Sequence, residues 1–167
     1  MRVEFVNPII EGAQKVLATE IQAEVQRGSL SVNNSPCTTG DVTTIVAVTG
    51  AVEGFLLLSV SAETARASVS TMVGQPFEEM NELAVSGIAE LGNVIAGTAT
   101  IALAESGFPS KVAPPVVVIG SGTRISTVNI QRLVVPLSTP VGQVEVQVAL
   151  KEVPANARST EAPADLV

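Results

Sequence analysis

The chain has 167 residues, 46% hydrophobic and 15% charged, with a net charge of −7; this suits one folded domain whose core needs no disulfide or metal staple. Histidine, tryptophan and tyrosine are absent and cysteine occurs once, at Cys37, which excludes imidazole-based nucleophiles, histidine-rich metal sites and an internal disulfide. The acidity and the lack of aromatics disfavour nucleic acid, no apolar run approaches the ~20 residues of a membrane span, and Met1-Arg2-Val3-Glu4 is unlike a signal peptide, so a cytoplasmic protein without membrane insertion is expected.

Asn7-Pro8 predicts a helix start, with Ile9, Ile10, Ala13, Val16 and Leu17 at helical spacing behind it. From Ile21 the period changes: Ile21, Ala23 and Val25 alternate with polar residues as in a half-exposed strand. Gly28 to Gly40 reads as a loop or weak edge strand and contains Cys37, which has no basic cluster beside it in sequence to lower its pKa. Val42–Thr49 and Phe55–Val60, joined across Gly50 and Gly54, read as a hairpin. Ser61 caps a helix with Glu63 in its first turn, a buried stripe of Ala65, Val69, Met72 and Val73, and Gly74 as its end. Pro76 to Asn81 leads into a long helix, Glu82 to Glu105, stopped by Gly107 and Pro109.

The last third is β-rich. Strands are expected at Val116–Ile119, Arg124–Val128 and Leu133–Pro136, with a turn at Gly120-Ser121-Gly122. Val144, Val146, Val148 and Leu150 alternate with Glu145, Gln147 and Ala149, which fits an antiparallel strand, either at a pairing edge or inside the sheet. Residues 154–167 have no periodicity and read as a disordered tail behind a domain of residues 1–153. The expected class is α+β, with long helices packed on a largely antiparallel sheet.

The long helix carries the most information. At 100° per residue, Ala84, Gly87, Ile88, Leu91, Ile95, Ala99 and Ala102 share a core side. Ser86, Glu90, Asn93 and Gly97 fall within about 60° of one another on the opposite side. No lysine or arginine is spaced to pair with Glu90. Gly87, Gly92 and Gly97 each cost about 1 kcal/mol relative to alanine, which points to close approach by something. Packing on the sheet would account for Gly87, and a partner's backbone for Gly97. The bare pattern Glu-x-x-Asn is weak: it occurs at Glu4/Asn7, Glu78/Asn81 and Glu90/Asn93, and only the third pair sits mid-helix. On spacing alone, a solvated helix face explains it. Glu78-Glu79-Glu82 is too local for a metal site and reads as charge at a helix N-terminus.

Ser86-x-x-x-Glu90-x-x-Asn93-x-x-x-Gly97 resembles the signature helix of the CheC/CheX/FliY phosphatases of bacterial chemotaxis. The flanks agree: "EFVNPIIEG" at the start, "VTGAVEGFLLLSVS" before the second helix, "PPVVVIGSGTRIS" after the long one, and "LVVPLSTPVGQVEVQVAL" at the end. The resemblance covers roughly residues 3 to 153, and residues 7–18 lack the full pattern, so a single-site, CheX-like form is the better match. It implies a phosphatase acting on the aspartyl phosphate of a CheY-like response regulator in chemotaxis or related two-component signalling. Asn93 would orient the attacking water and Glu90 would pair with the regulator's active-site lysine, while Ser86 and Gly97 would meet the partner. The chain would need no cofactor or metal of its own, because Mg2+ is supplied in the regulator. A homodimer built by strand exchange or sheet continuation is also implied. Two alternatives stay open: a non-catalytic adaptor that binds a receiver domain, a flagellar-switch component or a receptor-modification partner, and a structural dimerisation module.

Overall fold

The computed structural model describes residues 3–34 and 36–160. In chain order the elements are α1 (Val3–Glu20), β1 (Gln26–Arg27), β2 (Ser31–Asn33), β3 (Cys37–Thr38), β4 (Val42–Gly50) and β5 (Val52–Val60). They continue with α2 (Ala62–Val73), α3 (Glu82–Glu105), β6 (Ser110–Val112), β7 (Val116–Ile119), β8 (Arg124–Ile125), β9 (Arg132–Thr139), β10 (Gly142–Glu152) and a 3-10 turn at Ala155–Thr160. The α+β expectation holds, and all strand pairs are antiparallel.

The sheet runs β1-β9-β10-β5-β4-β6, with β2 also on β9 and β7 also on β4. Cross-strand rows build its inner face. Val42, Val60, Val144 and Leu137 stand in register, as do Thr44, Leu58, Val146 and Val135. Buried residues of all three helices join these rows in one core. The alternating strand β10 lies between β9 and β5, so it is internal. The open flanks of the sheet are β1/β2 on one side and β6/β7 on the other.

Several expectations change. α1 starts at Val3, and Pro8 lies inside it. The buried apolar series extends upstream through Phe5 and Val6, and its packing outweighs the missing hydrogen bond at Pro8. The strand expected from Ile21 is absent. Gln22 adopts a left-handed φ of 52°, and the Ala23 and Gln22 amides donate to the Ala18 and Thr19 carbonyls, closing the helix with a Schellman turn. Only Gln26 and Arg27 pair afterwards, with Ser138 and Leu137. β8 stops at Ile125 rather than Val128, and β6 was not foreseen. On α2 the buried set is Thr64, Ala65, Ser68 and Val69, while Val73 is exposed. The expected tail begins with the 3-10 turn, and residues 161–167 lie outside those described.

α3 has the bounds read from sequence. Asn81 caps it, its Oδ1 accepting from the Ala84 amide at 2.9 Å. Its end is a second Schellman turn, with Gly107 at φ 89° and the Phe108 amide donating to the Leu103 carbonyl at 2.8 Å. The Phe108 ring meets Phe5 edge-on at 4.7 Å, tying the end of α3 to the start of α1. By length and composition α3 alone among the described helices could cross a membrane, but Ser86, Glu90 and Asn93 interrupt its apolar run and 44% of that window is buried inside the fold.

Asn81→Ala removes the cap at the head of α3 and is expected to lower stability by about 1 kcal/mol. Urea unfolding followed by far-ultraviolet circular dichroism measures this in a chain without tryptophan or tyrosine.

Candidate functional site

Three contacts fix the rotation of α3. An added Cβ at Gly92 would sit 2.5 Å from Thr44 Cγ2 on β4. At the same place the Thr44 hydroxyl donates to the Ile88 carbonyl at 3.3 Å. One at Gly87 would sit 2.7 Å from Val69 Cγ1 on α2. Gly87 therefore accommodates α2, and Gly92 is the glycine that lies against the sheet. On the α1 side, Gly12 would place a Cβ 3.2 Å from Thr98 Cγ2. The core side of α3 is accordingly broader than expected: Ala84, Ile88, Leu91, Gly92, Ile95, Ala96, Ala99, Thr100 and Leu103 are buried, while Gly87 and Ala102 are half-buried.

With the inner side fixed, the sequence-predicted stripe faces outward. Ser86 and Glu90 are exposed, and Asn93 and Gly97 are half-buried. Glu90 and Asn93, three residues apart, have Cβ atoms about 5–6 Å apart. Among the described residues, neither their carboxylate nor their carboxamide is engaged by a hydrogen bond or ion pair. A Cβ at Gly97 would meet nothing within 4 Å, so that position is open. Between Arg66 and Lys111 the chain has no lysine or arginine, but it carries Glu78, Glu79, Glu82, Glu90 and Glu105. The stripe therefore offers one carboxylate and one donor-acceptor amide in an anionic surround.

The other two Glu-x-x-Asn pairs are accounted for. Asn81 is committed to its cap, and Glu4/Asn7 falls in the first turns of α1 rather than across a helix start. Sequence reasoning passed over a closer internal match. Laid on α3, α1 places Asn7, Glu11, Gln14 and Ala18 where Ser86, Glu90, Asn93 and Gly97 fall, with the same sequence of exposed and half-buried positions. It differs in two ways. The Gln14 amide donates to the Val25 carbonyl at 3.4 Å, and Lys15 stands four residues after Glu11 on the same side. Sequence reasoning also missed the exposed Leu83 and Ile101 at the two ends of the α3 stripe. The same 100° arithmetic that found the stripe places them on it.

Among the described residues no group of three or more histidine, cysteine, aspartate or glutamate side chains could hold a metal ion. Glu90 is a lone carboxylate on its face and cannot hold Mg2+ by itself. The Thr43 and Ser59 hydroxyls, 3.0 Å apart, join β4 to β5, and Asp41, whose Oδ2 accepts from the Ala62 amide at 2.9 Å, serves the head of α2; none of them belongs to the stripe.

This arrangement of helices and sheet matches the fold of a protein described as CheC-like. That protein, from Shewanella sp. PV-4, superposes with a TM-score of 0.82 at 24% identity, over 90% of this chain and 99% of that one. The sequence model of the family described as chemotaxis phosphatase CheX matches residues 42–138. The chain is 32% identical over 131 residues to the CheY-P phosphatase CheX of Thermotoga maritima, covering 78% of this chain and 84% of that protein. It is also similar to the CheX of the CheX–CheY–BeF3–Mg2+ complex from Borrelia burgdorferi, with a TM-score of 0.80 and 26% identity over 90% and 100% of the two chains. The chain belongs to the CheX family of chemotaxis phosphatases.

The contacts of the glycines set opposite expectations. Gly92→Ala drives a methyl into Thr44 and should destabilise by about 1–3 kcal/mol. Gly97→Ala fills open space and removes glycine's entropy from a helix interior, so it should stabilise by up to about 1 kcal/mol. Paired denaturant titrations of the two variants against wild type check both signs.

Proposed function

We propose that this chain hydrolyses the aspartyl phosphate of a CheY-like response regulator by inserting the outer face of α3 into the regulator's active site. The observation that carries the reading is the Glu90–Asn93 pair: two polar groups held rigidly mid-helix and left unpaired among the described residues. The Thermotoga relative is a CheY-P phosphatase and the Borrelia neighbour is seen with CheY, which supports the same partner here.

An acyl phosphate is already activated, so no covalent nucleophile is needed; placing a water in line with the bond to be broken is a sufficient contribution. Asn93 does this, its amide nitrogen donating and its oxygen accepting, so that the water is held in one orientation. The water oxygen forms a bond to phosphorus as the bond from phosphorus to the aspartyl oxygen breaks. The carboxylate leaves with the electron pair, and the water's protons go to the inorganic phosphate and to solvent. Glu90 pairs with the regulator's active-site lysine and sets the depth and angle of insertion. Ser86 lies on the contact surface, and Gly97 lets the regulator's backbone approach α3. Mg2+ belongs to the regulator.

The protein works in the cytoplasm, in line with its single cysteine. It works as a homodimer, for which the flank at β7 is the best-suited edge: Val116 and Ile119 are 59% and 55% exposed there, beside the pairing with β4. Val116→Lys with Ile119→Lys should convert the dimer to a monomer by light scattering; an unchanged mass removes this edge from the interface.

The test of activity is loss of phosphate from a Mg2+-bound, phosphorylated CheY-like regulator. Wild type should accelerate it. Asn93→Ala should lower kcat by about 100-fold or more while leaving the fold intact, as expected for lost water positioning. Glu90→Ala should act mainly through KM, raising it about tenfold as one member of a charge pair is removed. An Asn93→Ala variant as active as wild type would overturn its role. A wild type that binds regulators without accelerating loss would leave the adaptor reading in its place.

A further inference from the structure

We infer that Leu83 and Ile101 are paired apolar anchors that hold the receiver domain of the phosphorylated regulator across the Glu90–Asn93 site, an inference that rests on the phosphatase reading. Both are large apolar side chains left in water, 52% and 64% exposed, on a helix whose other large apolar residues are buried or half-buried. On the helical wheel each lies about 20° from Glu90, so both belong to the stripe that carries the site and not to its flanks. They bracket the site along the axis: Leu83 precedes Ser86 by one turn and Ile101 follows Gly97 by one turn. Their separation, at 1.5 Å per residue, is about 27 Å, close to the diameter of one small domain. A receiver domain that takes Glu90 and Asn93 into a cleft brings the two walls of that cleft down along α3, one towards Leu83 and the other towards Ile101.

The surround favours a partner with a basic rim. Leu83 forms one wall of an open depression of about 720 Å³ whose lining includes Glu78 and Glu79. The far end of the helix carries Glu105 in its last turn, where the helix dipole disfavours an anion. No lysine or arginine lies on α3, and the preceding cation, Arg66, donates to the Glu78 carbonyl at 2.9 Å. Such a face attracts basic side chains around an apolar contact and lowers competition from other acidic surfaces. α1 provides the contrast. It repeats the carboxylate and carboxamide spacing but exposes no large apolar side chain among its described residues, and it has Lys15 beside Glu11.

The test measures binding and turnover separately. Affinity is read by anisotropy of a labelled regulator activated with beryllofluoride and Mg2+, and turnover by phosphate loss from the phosphorylated form. Leu83→Ser and Ile101→Ser should each weaken binding about tenfold, as interface anchors do, and raise KM in parallel with kcat within about twofold of wild type. Glu78→Lys with Glu79→Lys should slow association and flatten its dependence on salt. Val128→Ser, at a 74% exposed valine outside the stripe, is the control and should change neither quantity. If both anchor variants bind as wild type does, the inference is overturned while the phosphatase reading stands. If wild type binds with anchors that matter but does not accelerate phosphate loss, the anchors stand and the phosphatase reading falls.

Discussion

The site depends on one close contact, that of Gly92 with Thr44. Where α3 crosses the sheet most closely, the helix has no side chain and the strand carries a threonine in a cross-strand row otherwise built of Leu58, Val146 and Val135. A larger residue on either side would lift or turn the helix. Glu90 and Asn93 stand on either side of Gly92 in sequence, so any turn of α3 about its axis re-aims both. Gly87 against Val69 provides a second point of registration one and a half turns away. The cost of two glycines inside a helix is the cost of fixing that rotation. It places a carboxylate and an amide outward, where none of the described residues engages them.

The same logic explains why stability and function are kept apart on one helix. The inner side of α3 is made of buried small and branched residues in close contact with β4 and α2. The outer side makes no intramolecular polar contact at Glu90 or Asn93 among the described residues. Substitutions inside therefore act on folding, and those outside on the partner. Gly97 differs from the other two glycines because its missing side chain leaves open space rather than relieving a clash. A glycine that folding does not require, on the outward stripe of a helix, is consistent with a requirement set by a partner.

Much of this was legible in sequence for identifiable reasons. α3 was bounded correctly because both ends carry local signals, an asparagine cap and a glycine stop, that do not depend on tertiary structure. The hairpin β4–β5 was legible from β-branched runs between glycines. The misses lie where tertiary packing overrides local rules. Pro8 suggested a start, yet Phe5 and Val6 bury themselves and draw the helix back past it. Ile21 to Val25 alternates like a strand, but a left-handed Gln22 closes α1 and only a two-residue strand follows. Periodicity gave the direction of the α3 core but not its width, since small residues such as Ala96 and Gly92 become core only when something comes close. Periodicity also left the position of β10 open, because an alternating pattern is the same at an edge and inside a sheet.

The comparison of α1 with α3 bears on what makes a pair of residues a site. Both helices present a carboxylate and, three residues on, a carboxamide, at matching exposure. On α1 the carboxamide is spent on the Val25 carbonyl, where it ties down the chain leaving the helix, and a lysine stands near the carboxylate. On α3 both groups remain available. A polar group already satisfied within its own chain must break that bond before it can hold a water or a lysine, and the energy of the broken bond is subtracted from any gain. Residue type and spacing are therefore shared by the two helices, and what distinguishes α3 is that none of the described residues engages these groups. That is a property of packing, set by Gly92 and the strand beneath it, and it is the reason a motif read as weak on spacing alone becomes informative once the fold around it is known.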